Sequence, residues 1–163
     1  MKALVVYYSQ TGNTEKVARS IFDAINVEKE IAPYDQVKSL QGYDIVFVGF
    51  PVIVHSVPAK AQPLIKNLPA GQKVAFFSTH GSLRGGQLPR QAFEDAAGLA
   101  VGKKVLGQFG CRGKVNPKVI EALLNQPANR AWAEEAQGAD GHPDTADLAD
   151  AEKFAADMVA KAY

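Results

Sequence analysis

The sequence predicts an α/β fold: a three-layer, doubly wound, five-stranded parallel sheet. Three observations predict this class. Short apolar runs have the length of strands, helical patterns separate these runs, and the runs do not alternate cleanly between polar and apolar residues. Strands of that kind are buried on both faces of a sheet, so helices must cover each side. The 163 residues predict one domain, 1–163.

Five segments are predicted strands. The four clearest apolar runs are residues 3–8, 45–50, 74–78 and 105–109. A weaker run, 27–31, carries charges that suit an exposed sheet edge. Because crossovers between parallel strands are right-handed, only a few doubly wound topologies remain.

Helical patterns fill the intervals between the runs. Apolar positions spaced three and four apart predict a first helix with one buried stripe, formed by Thr14, Val17, Ala18, Ile21, Phe22 and Ile25. Segments 59–68 and 88–99 are predicted crossover helices, the first beginning at Pro58. A short helix is predicted at 119–124 and a last one after Pro143. Segment 125–142 is predicted to be an irregular surface excursion before the last helix, and a helix fragment around Trp132 is left open within it.

Composition and charge argue against nucleic acid and membranes as partners. With a net charge of +1, the chain offers no general attraction for nucleic acid or an anionic membrane, and neither is predicted as a partner. No apolar stretch approaches the roughly 20 residues of a membrane span. Cys111 is the single cysteine, so no internal disulfide can form and a cytoplasmic protein is expected. No long exposed apolar stripe demands assembly, so a monomer or weak dimer is expected.

The segment after the first strand has the chemistry of an anion site. Residues 9–14, here called the first loop, read Ser-Gln-Thr-Gly-Asn-Thr and lead directly into a helix. Hydroxyls, an amide and the free N–H groups of a helix start all donate hydrogen bonds to an anion. The loop contains no Lys or Arg, unlike the loop of nucleotide-hydrolysing proteins. The alternative is an ordinary helix-capping turn rich in Ser and Thr.

The motif Ser-x-Thr-Gly-Asn-Thr resembles the phosphate-binding loop of flavodoxins, which wraps the terminal phosphate of flavin mononucleotide (FMN). Segment 52–57, the second loop, is similar to the family's loop on one face of the flavin ring, and segment 78–82, the third loop, to the loop on its other side. The resemblance implies the flavodoxin-like strand order 2-1-3-4-5 and FMN as cofactor. It implies these binding residues: Ser9, Gln10, Thr11, Gly12, Asn13, Thr14, Pro51, Val52, Ile53, His55, Thr79, His80, Gly81 and Ser82.

The chain departs from the flavodoxin pattern in the second and third loops. Many flavodoxins hold the ring between a Trp in the second loop and a Tyr in the third, and this chain has neither. Its single Trp is Trp132. We therefore expect Val52, Ile53 or His55 to pack against the ring. The second loop also lacks the glycine whose backbone flips toward the flavin, so the chain resembles an atypical branch of the family.

Other polar residues follow strand ends on the same side of the sheet. Arg84 and Arg112 are candidates for the pyrimidine edge of the ring, where a guanidinium favours an anionic reduced flavin; otherwise they are solvated charges. His55, His80 and Cys111 are candidates for three ligands of an open zinc site. Alternatively, His55 or His80 is a group near the flavin nitrogen N5 or a loop histidine without a role, and Cys111 is a small buried side chain. No pair of carboxylates is placed for acid–base catalysis, and no catalytic residue is predicted.

Three functions remain open. The leading hypothesis is an FMN-binding electron-transfer protein that shuttles electrons between redox partners, a reductase and an acceptor. The second is an FMN-dependent NAD(P)H:quinone-type reductase. The third is a binding module that keeps the fold without flavin. The first loop favours the first two hypotheses, since fold alone does not define function.

Overall fold

Five parallel strands form the central sheet of the computed structural model, which describes residues 1–163. The strands are β1 (Lys2–Tyr7), β2 (Glu28–Pro33), β3 (Ile45–Pro51), β4 (Lys73–His80) and β5 (Lys104–Arg112). Their spatial order is β2-β1-β3-β4-β5, and every neighbouring pair is parallel. The predicted fold class and strand order are therefore confirmed.

Six helices connect or follow the strands. They are α1 (Asn13–Ala24), α2 (Gln62–Lys66), α3 (Gln87–Leu99), α4 (Pro117–Leu124), α5 (Arg130–Gln137) and α6 (Thr145–Ala162). Helix α6 begins at a capping box in which the side chains of Asp144 and Asp147 each accept a backbone N–H of the other residue, as Pro143-Asp144-Thr145 predicts. None of the six helices combines the length and the apolar composition that a membrane-spanning helix requires.

The core has two halves, one on each face of the sheet. On one face, α1 and α6 bury Val17, Ile21 and Ala155 against the strands. On the other face, α2 and α3 bury Ile65 and Phe93. Successive strand residues alternate between the two halves, so the central strands are covered on both sides and need the near-continuous apolar sequence seen in them. These are the three layers expected from the sequence.

Three local predictions are wrong. Strand β5 is an edge strand whose first residues are exposed (Val105 is 41% exposed), so its apolar sequence does not reflect full burial. Helix α2 begins at Gln62, because the preceding residues form a turn in which Ala61 N–H donates to the Pro58 carbonyl at 2.9 Å. Segment 125–142 contains α5 and buries Ala133, Ala136 and Ala139, so it is not a surface excursion.

The parallel sheet places the candidate site residues at one edge. All strands end at the same side, so the segments after β1, β3, β4 and β5 lie together there. Strand β4 extends two residues beyond the predicted end and includes His80, and β5 extends to Arg112. The polar residues singled out in the sequence therefore lie partly on the strand ends and not only in the loops.

Candidate functional site

A cavity of about 560 Å³ opens at the carboxyl ends of the strands. All three loops line it. Twelve of the predicted binding residues contribute to its wall: Gln10, Thr11, Asn13, Thr14, Pro51, Val52, Ile53, His55, Thr79, His80, Gly81 and Ser82. The remaining two, Ser9 and Gly12, do not line it. The fold thus brings segments about 70 residues apart in sequence around one space.

Ser9 shapes the first loop from within. Its Oγ accepts hydrogen bonds from the backbone N–H of Gly12 at 3.1 Å and of Glu15 at 3.4 Å. Gly12 has a φ of 93°, a left-handed conformation that favours glycine. These two residues hold the loop in place, which explains why neither faces the cavity.

The first loop presents free backbone donors. The N–H groups of Gln10, Thr11, Asn13 and Thr14 have no hydrogen-bond partner within the chain. They belong to the loop and to the first turn of α1, where the helix dipole also favours negative charge. The arrangement is that of an anion site built from neutral donors.

Two side chains of α1 tie the first loop to its neighbours. The Thr14 hydroxyl lies 2.8 Å from the Thr79 hydroxyl, and both residues are buried. The Asn13 side-chain amide donates to the Lys114 carbonyl at 3.0 Å, in the segment that follows β5. One hydrogen bond of the Thr14 hydroxyl is therefore internal, whereas the backbone N–H groups of the loop have no partner within the chain.

The second loop ends in a tight hairpin turn. Ile53 and Ser56 exchange two backbone hydrogen bonds of 3.1 Å, with Val54 and His55 between them at φ angles of 49° and 61°. Turns with two positive φ values favour Asn and Gly, and a β-branched residue such as Val is strained there. The loop lacks glycine but still adopts the backbone that glycine would favour. Residues in such conformations cluster at ligand sites.

His80 lies in the wall between the third loop and the core. It is 5% exposed, and its Nδ1 lies 2.8 Å from the Ser82 carbonyl, so Nδ1 carries the proton and donates. Burial lowers the pKa of His80 below its ordinary value of 6.5; the bond to Ser82 opposes this, and the charges of Arg112 and Arg84 add to the lowering. His80 is therefore a neutral imidazole near pH 7, with Nε2 buried and unpartnered.

This burial predicts an acid-sensitive contribution to stability. Between the lowered pKa of folded His80 and about pH 6.5, the unfolded chain protonates His80 while the folded protein does not. Unfolded molecules then bind more protons, so the free energy of unfolding decreases as the pH decreases. We expect His80→Asn, whose amide can still donate to the Ser82 carbonyl, to lack this component. Urea unfolding at pH 5 to 8 measures it. Parallel pH profiles for the two proteins would contradict the assignment.

Cys111 is a buried thiol. Burial raises its pKa to about 12, so almost no reactive thiolate exists at neutral pH. We expect iodoacetamide at pH 8 to leave the folded protein unmodified and to alkylate Cys111 fully in denaturant, with mass spectrometry as the readout. Rapid alkylation of the folded protein would show that the thiol is accessible.

The zinc hypothesis is not supported. His55, His80 and Cys111 do not form a cluster of ligand atoms. One group of His and carboxylate side chains does come together, His142 with Asp144 and Asp147. Its geometry is explained by the start of α6, where Asp147 accepts from His142 Nδ1 at 2.6 Å and from the Asp144 N–H at 2.9 Å.

Neither candidate arginine lines the cavity. Arg84 pairs with Asp150 of α6 at 2.5 Å and lies over the Phe109 ring, 4.8 Å from its centroid. Arg112 donates from Nη2 to the carbonyls of Gly81 and Glu135, at 3.1 and 2.5 Å. The pyrimidine-edge hypothesis is therefore unsupported for both, and Arg112 connects the third loop to α5.

Helices α4 and α5 supply a wall that the sequence did not predict. The cavity is lined by Val119 and Leu123 of α4, by Trp132 of α5 and by Val115, which lies just before α4. The apolar positions of 119–124 predict a helix but do not predict that this helix lines the cavity. A stronger signal for this wall is the spacing of Ala133 and Ala136 beside Trp132. Small buried residues three positions apart lie on one face of a helix and let it pack closely against its neighbour.

The sheet order and the cavity at its carboxyl edge define the flavodoxin-like class of α/β proteins. A family model described as a flavodoxin domain matches residues 4–156, and the chain belongs to this family. Among curated proteins, the flavodoxin-like domain-containing protein BilS of Clostridioides difficile (strain CD3) is 31% identical over 174 residues, covering 99% of this chain and 98% of BilS.

Solved structures agree in fold. An oxidised flavodoxin 2 from Bacillus cereus has a TM-score of 0.67 and 20% identity, covering 99% of each chain. A flavodoxin from the domain Archaea has a TM-score of 0.66 and 20% identity, also covering 99% of each. An FMN complex of a flavoprotein from Lactobacillus acidophilus NCFM has a TM-score of 0.56 and 22% identity, covering 67% of this chain and 92% of that one. Family and fold support FMN as the cofactor and, in general, a flavin-binding electron-transfer role.

Proposed function

We propose that this chain binds one FMN and carries electrons between two redox proteins, a reductase and an acceptor. The observation that carries the proposal is the first loop, in which four backbone N–H groups without partners border the cavity. A phosphate monoester carries nearly two negative charges at neutral pH and accepts several hydrogen bonds. Free donors at the start of α1 match that group without a lysine or arginine.

The rest of the cavity fits the remainder of the cofactor. A volume of about 560 Å³ lies within the usual range of small-molecule sites. Val52 and Ile53 of the second loop offer apolar surface, while Gly81 and Ser82 of the third loop offer backbone groups. Bound FMN supplies electron transfer in one- or two-electron steps. Residues of the three loops would hold it, and burial keeps His80, in the wall of the same cavity, uncharged near pH 7.

Reconstitution tests the proposal. Protein incubated with FMN and freed of excess is expected to show the visible bands of bound flavin at one per chain. Riboflavin, which lacks the phosphate, is expected to bind much more weakly. The loaded protein should accept electrons from a flavodoxin reductase and pass them to cytochrome c. A colourless protein that leaves FMN fluorescence unchanged would instead support the binding module without flavin.

A second candidate is the FMN-dependent NAD(P)H:quinone-type reductase. The observation that favours it is the apolar surface of Val119 and Leu123, which widens the cavity beyond the three loops. An apolar wall of this kind suits a conjugated small molecule. Steady-state oxidation of NADPH in the presence of a quinone, at a rate above that of free FMN, would favour the enzyme. A rate equal to that of free FMN would argue against the enzyme and leave the electron-carrier function as the supported one.

We propose a cytoplasmic monomer or weak dimer without nucleic-acid or membrane partners. The near-neutral charge supports the lack of nucleic-acid and anionic-membrane partners. Sedimentation of the loaded protein tests the oligomeric state.

A further inference from the structure

We infer that Trp132, from α5, is the aromatic residue that contacts the flavin ring in this protein. The inference rests on the proposed FMN function and identifies one residue of the same site. Trp132 is half-buried, so part of its indole is covered by the protein and part is open to the cavity. It takes over a contact that the second and third loops cannot make, since neither contains a Trp or Tyr.

No other large aromatic side chain is available. Apart from the imidazoles of His55 and His80, Trp132 is the only aromatic residue that lines the cavity. Tyr8, the tyrosine nearest to the first loop, does not line it and packs edge-on against Tyr34 at 5.2 Å between ring centroids. A flat, conjugated ligand in this cavity therefore meets one indole.

Glycine at position 81 brings the indole close to the third loop. A Cβ atom there would lie 2.5 Å from Val115 Cγ2 and 3.2 Å from Trp132 Cζ2. The first distance is shorter than real Cβ atoms show, so a side chain at position 81 would force Val115 to shift; the second, to Trp132 of α5, is tighter than ordinary van der Waals contact. Position 81 is also in the third loop, which the family resemblance places beside the ring. Trp132 therefore lies directly against that loop.

Two hydrogen-bonded links fix α5 in this position. The Arg112 guanidinium joins the carbonyls of Gly81 and Glu135 through Nη2. The Glu135 carboxylate in turn accepts the backbone N–H of Leu83 at 3.3 Å. Arg112 is thus a positioning residue: it holds α5 against the third loop and does not line the cavity itself.

The emission of bound FMN tests the inference. An indole in contact with a flavin quenches its fluorescence by donating an electron, whereas phenylalanine and leucine do not. We expect FMN to be dark in the wild-type protein and emissive when bound to Trp132→Phe or Trp132→Leu. The Kd for FMN should rise about tenfold in Trp132→Leu and less in Trp132→Phe. Glu134→Ala, an exposed change on the same helix, is the matched control and should remain dark.

The outcomes separate the inference from the proposed function. If all four proteins bind FMN with equal Kd and equal emission, Trp132 does not touch the ring and the inference is wrong, while FMN binding stands. If none of the four proteins binds FMN, the proposed function itself is wrong, whatever the position of Trp132. Circular dichroism of each variant shows whether it is folded. Arg112→Ala, if folded, is expected to raise the emission of bound FMN partway, because α5 loses its link to the third loop.

Discussion

Replacing Thr11 with Asp is expected to raise the Kd for FMN at least a hundredfold. Thr11 lies in the first loop, is exposed, and lines the cavity beside the free N–H groups. A carboxylate there would occupy those donors itself and repel the phosphate. Two unit charges about 5 Å apart at an effective dielectric constant of about 20 repel by about 3 kcal/mol, which corresponds to more than a hundredfold in Kd.

Two controls isolate the charge. Thr11→Asn has nearly the shape of Thr11→Asp without its charge, and we expect its Kd to stay within a few-fold of wild type. Riboflavin lacks the phosphate, so its Kd should be similar in all three proteins. Fluorescence titration measures every combination. Equal loss of FMN and riboflavin in Thr11→Asp would mean that the loop had collapsed, and no loss of FMN would place the phosphate elsewhere.

Gly49→Ala is expected to lower the free energy of unfolding by about 3 kcal/mol or more. Gly49 lies in the middle of β3, where an added Cβ would come within 2.0 Å of Phe77 Cε2 on β4. Phe77 is fully buried and has no space to move away. The clash therefore has to be relieved by shifting the two central strands. Urea unfolding followed by circular dichroism measures the loss.

Two further proteins make this result specific. Gly98→Ala, on the exposed face of α3 with open space around it, should instead stabilise the protein by about 0.5–1 kcal/mol. Phe77→Leu added to Gly49→Ala should recover part of the lost stability, since it removes the atoms that clash. If Gly49→Ala were as stable as wild type, or if Phe77→Leu only deepened the loss, the packing described for β3 and β4 would be wrong.

The sheet could be predicted because its information is local. Each central strand is buried on both faces, so residues such as 45–50 show a continuous apolar run, and the helices between them show the periodicity of one buried face. The first loop is equally local, because six consecutive residues between a strand and a helix carry both its shape and its donors. Strand β5 was less predictable, since its apolar residues are partly exposed at an edge.

The wall formed by α4 and α5 depends on contacts between distant residues. Trp132 and Gly81 are 51 positions apart, and a side chain at position 81 would crowd both Val115 and Trp132. Arg112 was interpreted from its position after a strand, which does not reveal that two carbonyls bind its guanidinium. The ends of β4 and β5 were also placed too early, because polar residues such as His80 are buried there by tertiary packing.

The bonds that Ser9 makes within the first loop have a consequence for the rate and energetics of ligand capture. Because folding itself orders this loop, ligand binding does not carry the entropic cost of ordering it. For the proposed FMN site we therefore expect association to be limited by encounter and not by rearrangement of the loop. Inorganic phosphate, too small to reach the apolar walls, should then compete with FMN for the same donors, which makes the affinity for FMN sensitive to phosphate buffer.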